Sequence, residues 1–218
     1  MKAIYLIVEG QTEEEFVRNS LSPYLMSHGI HDVRAIKIET SPGFKGGDLK
    51  YSRFKPNVRK LLYQRNDVIV SSLIDYFRLR NDFPEYDNSQ KFLNPVARVT
   101  NLEKACAMDI NDDRFLPYIQ LFEFEGLLFS EDKGFNFLGT IPQLNIIQLQ
   151  SIITNYPNPE LINDGSETAP SKRLQRLIPG YKKTLHGPVI ALENGVNSIL
   201  SKCPRFSTWV TALINKAK

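Results

Sequence analysis

The chain of 218 residues is 42% hydrophobic and 23% charged, with a net charge of +3, the profile of an ordinary globular protein that can bury a sizeable core. No apolar run approaches the ~20 residues of a membrane-spanning helix, and two cysteines, Cys106 and Cys203, make neither a disulfide framework nor a zinc-ligand pattern. The charge permits a nucleic-acid partner only where basic residues cluster. A strand that begins at once leaves no room for a signal peptide, so a cytoplasmic protein is expected.

Ile4 to Val8 is an unbroken apolar run rich in β-branched residues and predicts a strand buried on both faces. Glu9 follows where that strand leaves the core, then Gly10 for a turn. Thr12 and Glu15 have capping-box spacing and predict a helix start. Ligands of open α/β sheets bind at the carboxyl ends of strands, so Glu9 is a candidate functional carboxylate. Glu13, Glu14 and Glu15 read as complements of the helix dipole. Pro23 predicts a kink or restart of the helix, and Val33 to Glu39 a second strand.

Thr40 to Lys55 reads as a long irregular loop. Its Lys45, Lys50 and Arg53 alternate with Phe44, Tyr51 and Phe54, which suits phosphate contact with base stacking; a merely solvated loop is the other reading. Pro56 then opens a helix to about Gln64. Val68 to Ile74 predicts a third strand, and Asp75 stands at its carboxyl end just as Glu9 does.

Arg78 to Asn94 predicts a loop with at most one helical turn. Asn94-Pro95 opens a helix to about Met108 that buries Cys106. Pro117 to Phe122 predicts a fourth strand leading to Glu123 and Glu125, which share one face if the strand persists or an N-terminal turn if a helix opens at Phe124. Thr140 to Gln143 is a second capping-box pattern before a helix to about Thr154. The helix from Ser171 carries Lys172 and Arg173 at the end where the dipole disfavours cations. With Lys182, Lys183 and His186-Gly187 they form a basic stretch; a solvated face is the usual explanation, but the placement hints at an anionic partner. Phe206, Trp209, Val210, Leu213 and Ile214 form the core stripe of a terminal helix.

Acidic residues collected at the mouth of one sheet repel unless a cation joins them. Oxygen donors without His or Cys suit Mg²⁺ or Mn²⁺, and a pair of such ions stabilises the attacking and leaving oxygens of phosphodiester displacement.

Val8-Glu9-Gly10-Gln11-Thr12-Glu13 resembles the first motif of the topoisomerase–primase (TOPRIM) superfamily, and Leu73-Ile74-Asp75 its second. More closely, the chain resembles a bacterial TOPRIM-like family of unknown function. The marks are Asp75-Tyr76-Phe77 with Asp82-Phe83-Pro84, Pro117-Tyr118-Ile119-Gln120 before Glu123-Phe124-Glu125, Ile162-Asn163-Asp164-Gly165, Pro170-Ser171-Lys172-Arg173, His186-Gly187, and Cys203-Pro204-Arg205-Phe206. The resemblance implies a Rossmann-like, mostly parallel sheet flanked by helices, with a core over 1–135 and a helical extension over 136–218 packed on it. It implies a nuclease in a restriction or phage-defence system, with Mg²⁺ or Mn²⁺, nucleic acid (DNA ahead of RNA) and a protein partner such as an ATPase.

On that resemblance Glu9 is the general acid/base or a bridging carboxylate, Asp75 a metal ligand, and Glu123 or Glu125 completes the site. Lys45, Lys50, Arg53, Lys172, Arg173, Lys182 and His186 hold phosphates. The second motif usually reads Asp-x-Asp, whereas here Phe77 fills the second place. That argues against a full two-metal centre unless Asp82 or the Glu123/Glu125 pair substitutes. The alternative is a non-catalytic binding or regulatory partner in a multi-protein system.

Overall fold

A computed structural model describes residues 1–38, 49–138, 141–163, 165 and 167–218. The calls on Glu39, on residues 40–48 of the loop (Lys45 among them), on Thr140 and on Asp164 fall outside these residues.

The strands are β1 (Ala3–Val8), β2 (Val33–Lys37), β3 (Val68–Asp75), β4 (Phe115–Leu116) and β5 (Ile119–Gln120). The sheet runs β2-β1-β3-β4, with β5 also on β3, and every pairing is parallel. β1 and β3 are buried along their whole length, as continuous apolar runs in a two-sided parallel sheet must be. Pro117, which has no N–H to give a ladder, separates β4 from β5. The chain leaves β1 toward β2 on one side and reaches β3 on the other. The carboxyl end of β1 is therefore the switch point, where a crevice opens between diverging connections. Glu9 and Asp75 both end at it.

Alternation along the strands builds two cores. Ile4, Leu6, Val8, Ile69 and Leu73 face one side; Ala3, Tyr5, Ile7, Val70 and Ile74 face the other. The first side is covered by α1 (Gln11–Phe16), α2 (Ser22–Ser27) and the C-terminal helices. The second is covered by α3 (Tyr51–Gln64) and, after the single turn α4 (Tyr86–Ser89), by α5 (Pro95–Ile110). Asn94 caps α5, its side chain accepting from Val96 N and Ala97 N. After α6 (Lys133–Phe137) and α7 (Gln143–Asn155) come α8 (Pro170–Leu177), α9 (Lys183–Asn194), α10 (Val196–Lys202) and α11 (Pro204–Ala217). Leu149, Leu174, Ile190, Ile199 and Leu213 from these helices share the core of Ile4 and Leu6. Trp209 stacks on Tyr118 with centroids 4.5 Å apart and donates to Ser71 Oγ at 2.9 Å.

Two local expectations are corrected and one is met. The Thr12/Glu15 capping box does not form: Gly10 is the N-cap, Thr12 is buried, and Glu15 accepts from Arg18 and Asn19 instead. The restart expected at Pro23 is found: α2 begins at Ser22 with the proline in its first turn, after a π-turn over Val17–Leu21 in which Ser22 N donates to Val17 O. Shifting the ladder by one residue accommodates a proline without leaving helical dihedrals. The irregular segment ends before Tyr51, because Asp82 caps α3 from across the sequence, its carboxylate accepting from Tyr51 N at 2.9 Å and Ser52 N at 3.1 Å. Pro56 therefore lies inside α3, and Asp82 is spent on a helix end.

A buried carboxylate ties the C-terminal helix to the strand ends. Glu160 accepts from Arg205 N, Phe206 N and Tyr118 Oη at 2.9, 3.2 and 3.3 Å. The Arg205 guanidinium meets Glu103 at 2.7 Å and Ile119 O at 3.1 Å. The Cys203-Pro204-Arg205-Phe206 and Pro117-Tyr118-Ile119-Gln120 motifs thus meet at a structural joint.

Candidate active site

Four acidic side chains converge beyond the carboxyl ends of β1 and β3. Glu9 leaves β1; Glu13 lies four residues on, in the first turn of α1; Asp75 ends β3; Glu125 lies in the 3₁₀ turn Phe124–Ser130. All four are buried, Glu125 completely. Gly10 makes room for this: a Cβ there would stand 3.0 Å from Glu13 Oε2. Asp75 Oδ1 accepts from Phe124 N at 2.8 Å, which fixes the turn that delivers Glu125.

The Lys183 ammonium stands among them, 3.1 Å from Glu125 Oε1, 3.6 Å from Glu13 Oε1 and 3.7 Å from Asp75 Oδ2. It is the first residue of α9, a helix drawn close to α1 by Gly187, where a Cβ would meet Thr12 Cγ2 at 3.1 Å. Arg78 Nε lies 3.7 Å from Glu9 Oε1. Glu9, Gly10, Glu13, Arg78, Lys183 and Thr184 line a cleft of roughly 240 Å³ together with Gln11, Thr12 and Lys37. Lys37 is matched to Glu14 at 2.8 Å.

Burial, with the nearby Glu13 charge, raises the Glu9 pKa to about 8 against the pull of Arg78 and Lys183. Burial also holds Asp75 well above the ordinary carboxylate range and raises Glu125, in both cases against Lys183. Burial disfavours the Lys183 charge, but Glu125, Asp75 and Glu13 together outweigh it and keep its pKa above that of a free lysine. Four carboxylates face two cations, Lys183 and Arg78, so the fully ionised group carries a formal −2. Glu9 Oε2 and Glu125 Oε2 are buried without a hydrogen-bond partner among the described residues. Oxygen donors with an unmet negative charge fit a hard divalent cation. No three His, Cys, Asp or Glu side chains among the described residues are spaced to hold a metal ion.

The structure brings Glu9, Asp75 and Glu125 together but not Glu123, whose carboxylate accepts from Ser171 N at 2.9 Å and Ser171 Oγ at 3.0 Å. A 3₁₀ turn does open at Phe124, so the two glutamates diverge. Phe77 packs on Phe122 with centroids 5.4 Å apart and lines a separate groove of about 480 Å³ with Glu123, Asn163 and exposed Lys172. Cys106 and Cys203 are buried thiols raised by burial, Cys106 to about 12, which makes both inert.

The basic candidates separate. Lys182 is exposed beside Lys183 at the cleft rim, its backbone N–H donating to His186 Nδ1 at 2.9 Å, which puts the neutral imidazole's proton on Nε2. Lys50 is exposed next to Leu49, which bridges to Leu79 just past Arg78. Arg53 lies on α3 and Arg173 donates to Thr168 O at 2.7 Å while lying over the Tyr156 ring; neither lines the cleft.

Glu13 and Arg78 were not read from sequence as site residues, and Lys183 was read only as one member of a basic stretch. The four-residue step from Glu9 to Glu13 was a usable signal, since a glycine N-cap between them turns the second carboxylate back toward the first. Nothing local marks Lys183 out from Lys182.

The family described as "Domain of unknown function (DUF4276)" matches residues 8–214 of the chain. The comparison with curated proteins finds no match. Among solved structures, the C-terminal region of the Xanthomonas campestris pv. campestris OLD protein phased with iodine is 15% identical at a TM-score of 0.46, covering 98% of this chain and 93% of that one. The same region phased with platinum is 13% identical at 0.43, covering 100% and 98%. Likeness at this level assigns no role to any residue here.

Proposed function

We propose that this chain, which belongs to the DUF4276 family, is a divalent-cation-dependent phosphodiesterase acting on nucleic acid. The observation that carries the reading is the group of four buried carboxylates, in excess over their two cations, at the sheet's switch point.

Glu9, Glu13, Asp75 and Glu125 would hold Mg²⁺ or Mn²⁺, which when bound supplies a Lewis acid and a more acidic water. Glu9, which lines the cleft, would take a proton from an attacking water or return one. Lys183 and Arg78 face the cleft as partners for non-bridging phosphate oxygens. Lys182 is exposed beside Lys183, Lys50 beside Leu49, and Lys172 in the separate groove of Phe77 and Glu123; all three would suit the flanking phosphates of a strand. Work in a restriction or phage-defence system beside an ATPase partner rests on the motif resemblance.

One observation favours the second reading, a non-catalytic partner: an ammonium already stands among Glu13, Asp75 and Glu125. Turnover decides between them. Purified protein is incubated with Mg²⁺ or Mn²⁺ and supercoiled, linear or single-stranded DNA, or RNA. Cleavage reduced at least ~100-fold in Glu9→Gln and Asp75→Asn is expected. Cleavage that survives both substitutions overturns the site, and no cleavage of any substrate selects the binding reading.

A further inference from the structure

We infer that the groove of Phe77 and Glu123 is a seat for one unpaired nucleobase of the strand whose phosphate enters the cleft. The inference rests on the nucleic-acid part of the reading above and names the residues that hold the base.

The groove and the cleft are built from the same two segments. Arg78 lines the cleft, 3.7 Å from Glu9 Oε1, whereas Phe77, its neighbour with a Cα about 3.8 Å away, lines the groove. Glu125 meets Lys183 of the cleft at 3.1 Å, and Glu123, two residues earlier, lines the groove. The segments that follow β3 and β5 thus each supply one side chain to the cleft and one to the groove. A strand with a phosphate at Arg78 brings a base within reach of Phe77.

The lining suits that occupant. Phe77 is 40% exposed although its ring leans on Phe122, with centroids 5.4 Å apart. Phe122 is buried with a φ of 64°, a conformation that bulky residues rarely adopt, and its carbonyl accepts from Phe77 N at 3.2 Å. Ring contact and backbone hydrogen bond together fix an exposed aromatic, which is a stacking surface for any base. Ala169 adds an apolar wall and Asn163 a polar one. Glu123 Oε2 accepts from Ser171 N and Oε1 from Ser171 Oγ. Each carboxylate oxygen can take two hydrogen bonds, so capacity remains for the exocyclic amine of a base. Lys172, exposed in the first turn of α8, supplies a cation for the adjoining phosphate. At about 480 Å³ the groove has the size of a small-molecule site.

The test is fluorescence-anisotropy binding of the full chain in EDTA, which leaves metal and cleavage out of the comparison. The probes are labelled oligo(dC) of about 12 nucleotides and an abasic chain of the same length and charge. Wild type is expected to bind oligo(dC) more tightly than the abasic chain. Phe77→Ala should weaken oligo(dC) binding by about 5- to 100-fold and leave the abasic chain unaffected, whereas Phe77→Trp, which keeps an aromatic face, should retain tight binding. Equal affinity of the wild type for both probes would overturn the inference while sparing the nucleic-acid reading. So would Phe77→Ala binding oligo(dC) as wild type does, weakening both probes alike, or being matched in its loss by Phe77→Trp. A wild type that binds neither probe would instead sink the nucleic-acid reading and the base seat with it.

Discussion

Glu9→Gln is expected to stabilise the metal-free fold while it disables the cleft. Glu9 is 8% exposed, and its pKa rises from 4.5 to about 8, first through burial and then through the charge of Glu13. Below about pH 4.5 the carboxyl is neutral in the folded and unfolded chain alike. Between there and about 8 the unfolded chain has released a proton that the folded chain keeps, so stability falls as pH rises; above 8 the loss is complete. At about 1.36 kcal/mol per pKa unit the ceiling is about 5 kcal/mol. Glu13 shares the same field, so about 2 kcal/mol of it belongs to Glu9 alone at pH 8. Glutamine keeps the shape and never ionises. Urea unfolding in EDTA should therefore give Glu9→Gln an advantage of about 2 kcal/mol at pH 8 that shrinks toward zero by about pH 5. A variant equal to or less stable than wild type at pH 8 would refute the picture of an uncompensated acidic group.

Two further substitutions probe the frame that holds the cleft. Gly134→Ala would place a Cβ 2.4 Å from Ile190 O on α9; because backbone must move, a loss of about 1–3 kcal/mol in chemical denaturation is expected, and an unchanged midpoint would deny that α6 and α9 pack so closely. Glu160→Ala removes the acceptor for Arg205 N, Phe206 N and Tyr118 Oη. Tyr118 Oη keeps Gln120 Oε1 at 2.8 Å, but leaving the Arg205 and Phe206 N–H groups unmet should cost at least about 2 kcal/mol and lower the thermal midpoint, with the outcome checked by calorimetry.

What the sequence disclosed follows from how local each signal is. β1 and β3 announce themselves as apolar runs, and the acids ending them stand where strand periodicity places them. The stripe of Phe206, Trp209 and Leu213 correctly marks a buried helix face. Partners supplied from far along the chain leave no such trace. Asp82 starts α3 from beyond β3, Ser171 draws Glu123 away from Glu125, and α9 brings Lys183 among acids of the N-terminal part. Glu13 was read as a dipole complement because its spacing suits that role too; only the packing of α9 over α1 shows it enclosed.

The division of labour along the chain has a consequence for assembly. Every acid of the group is synthesised in the first part of the polypeptide, whereas the lysine that balances three of them waits for α9. A chain lacking α9 would therefore lack the cation that balances Glu13, Asp75 and Glu125.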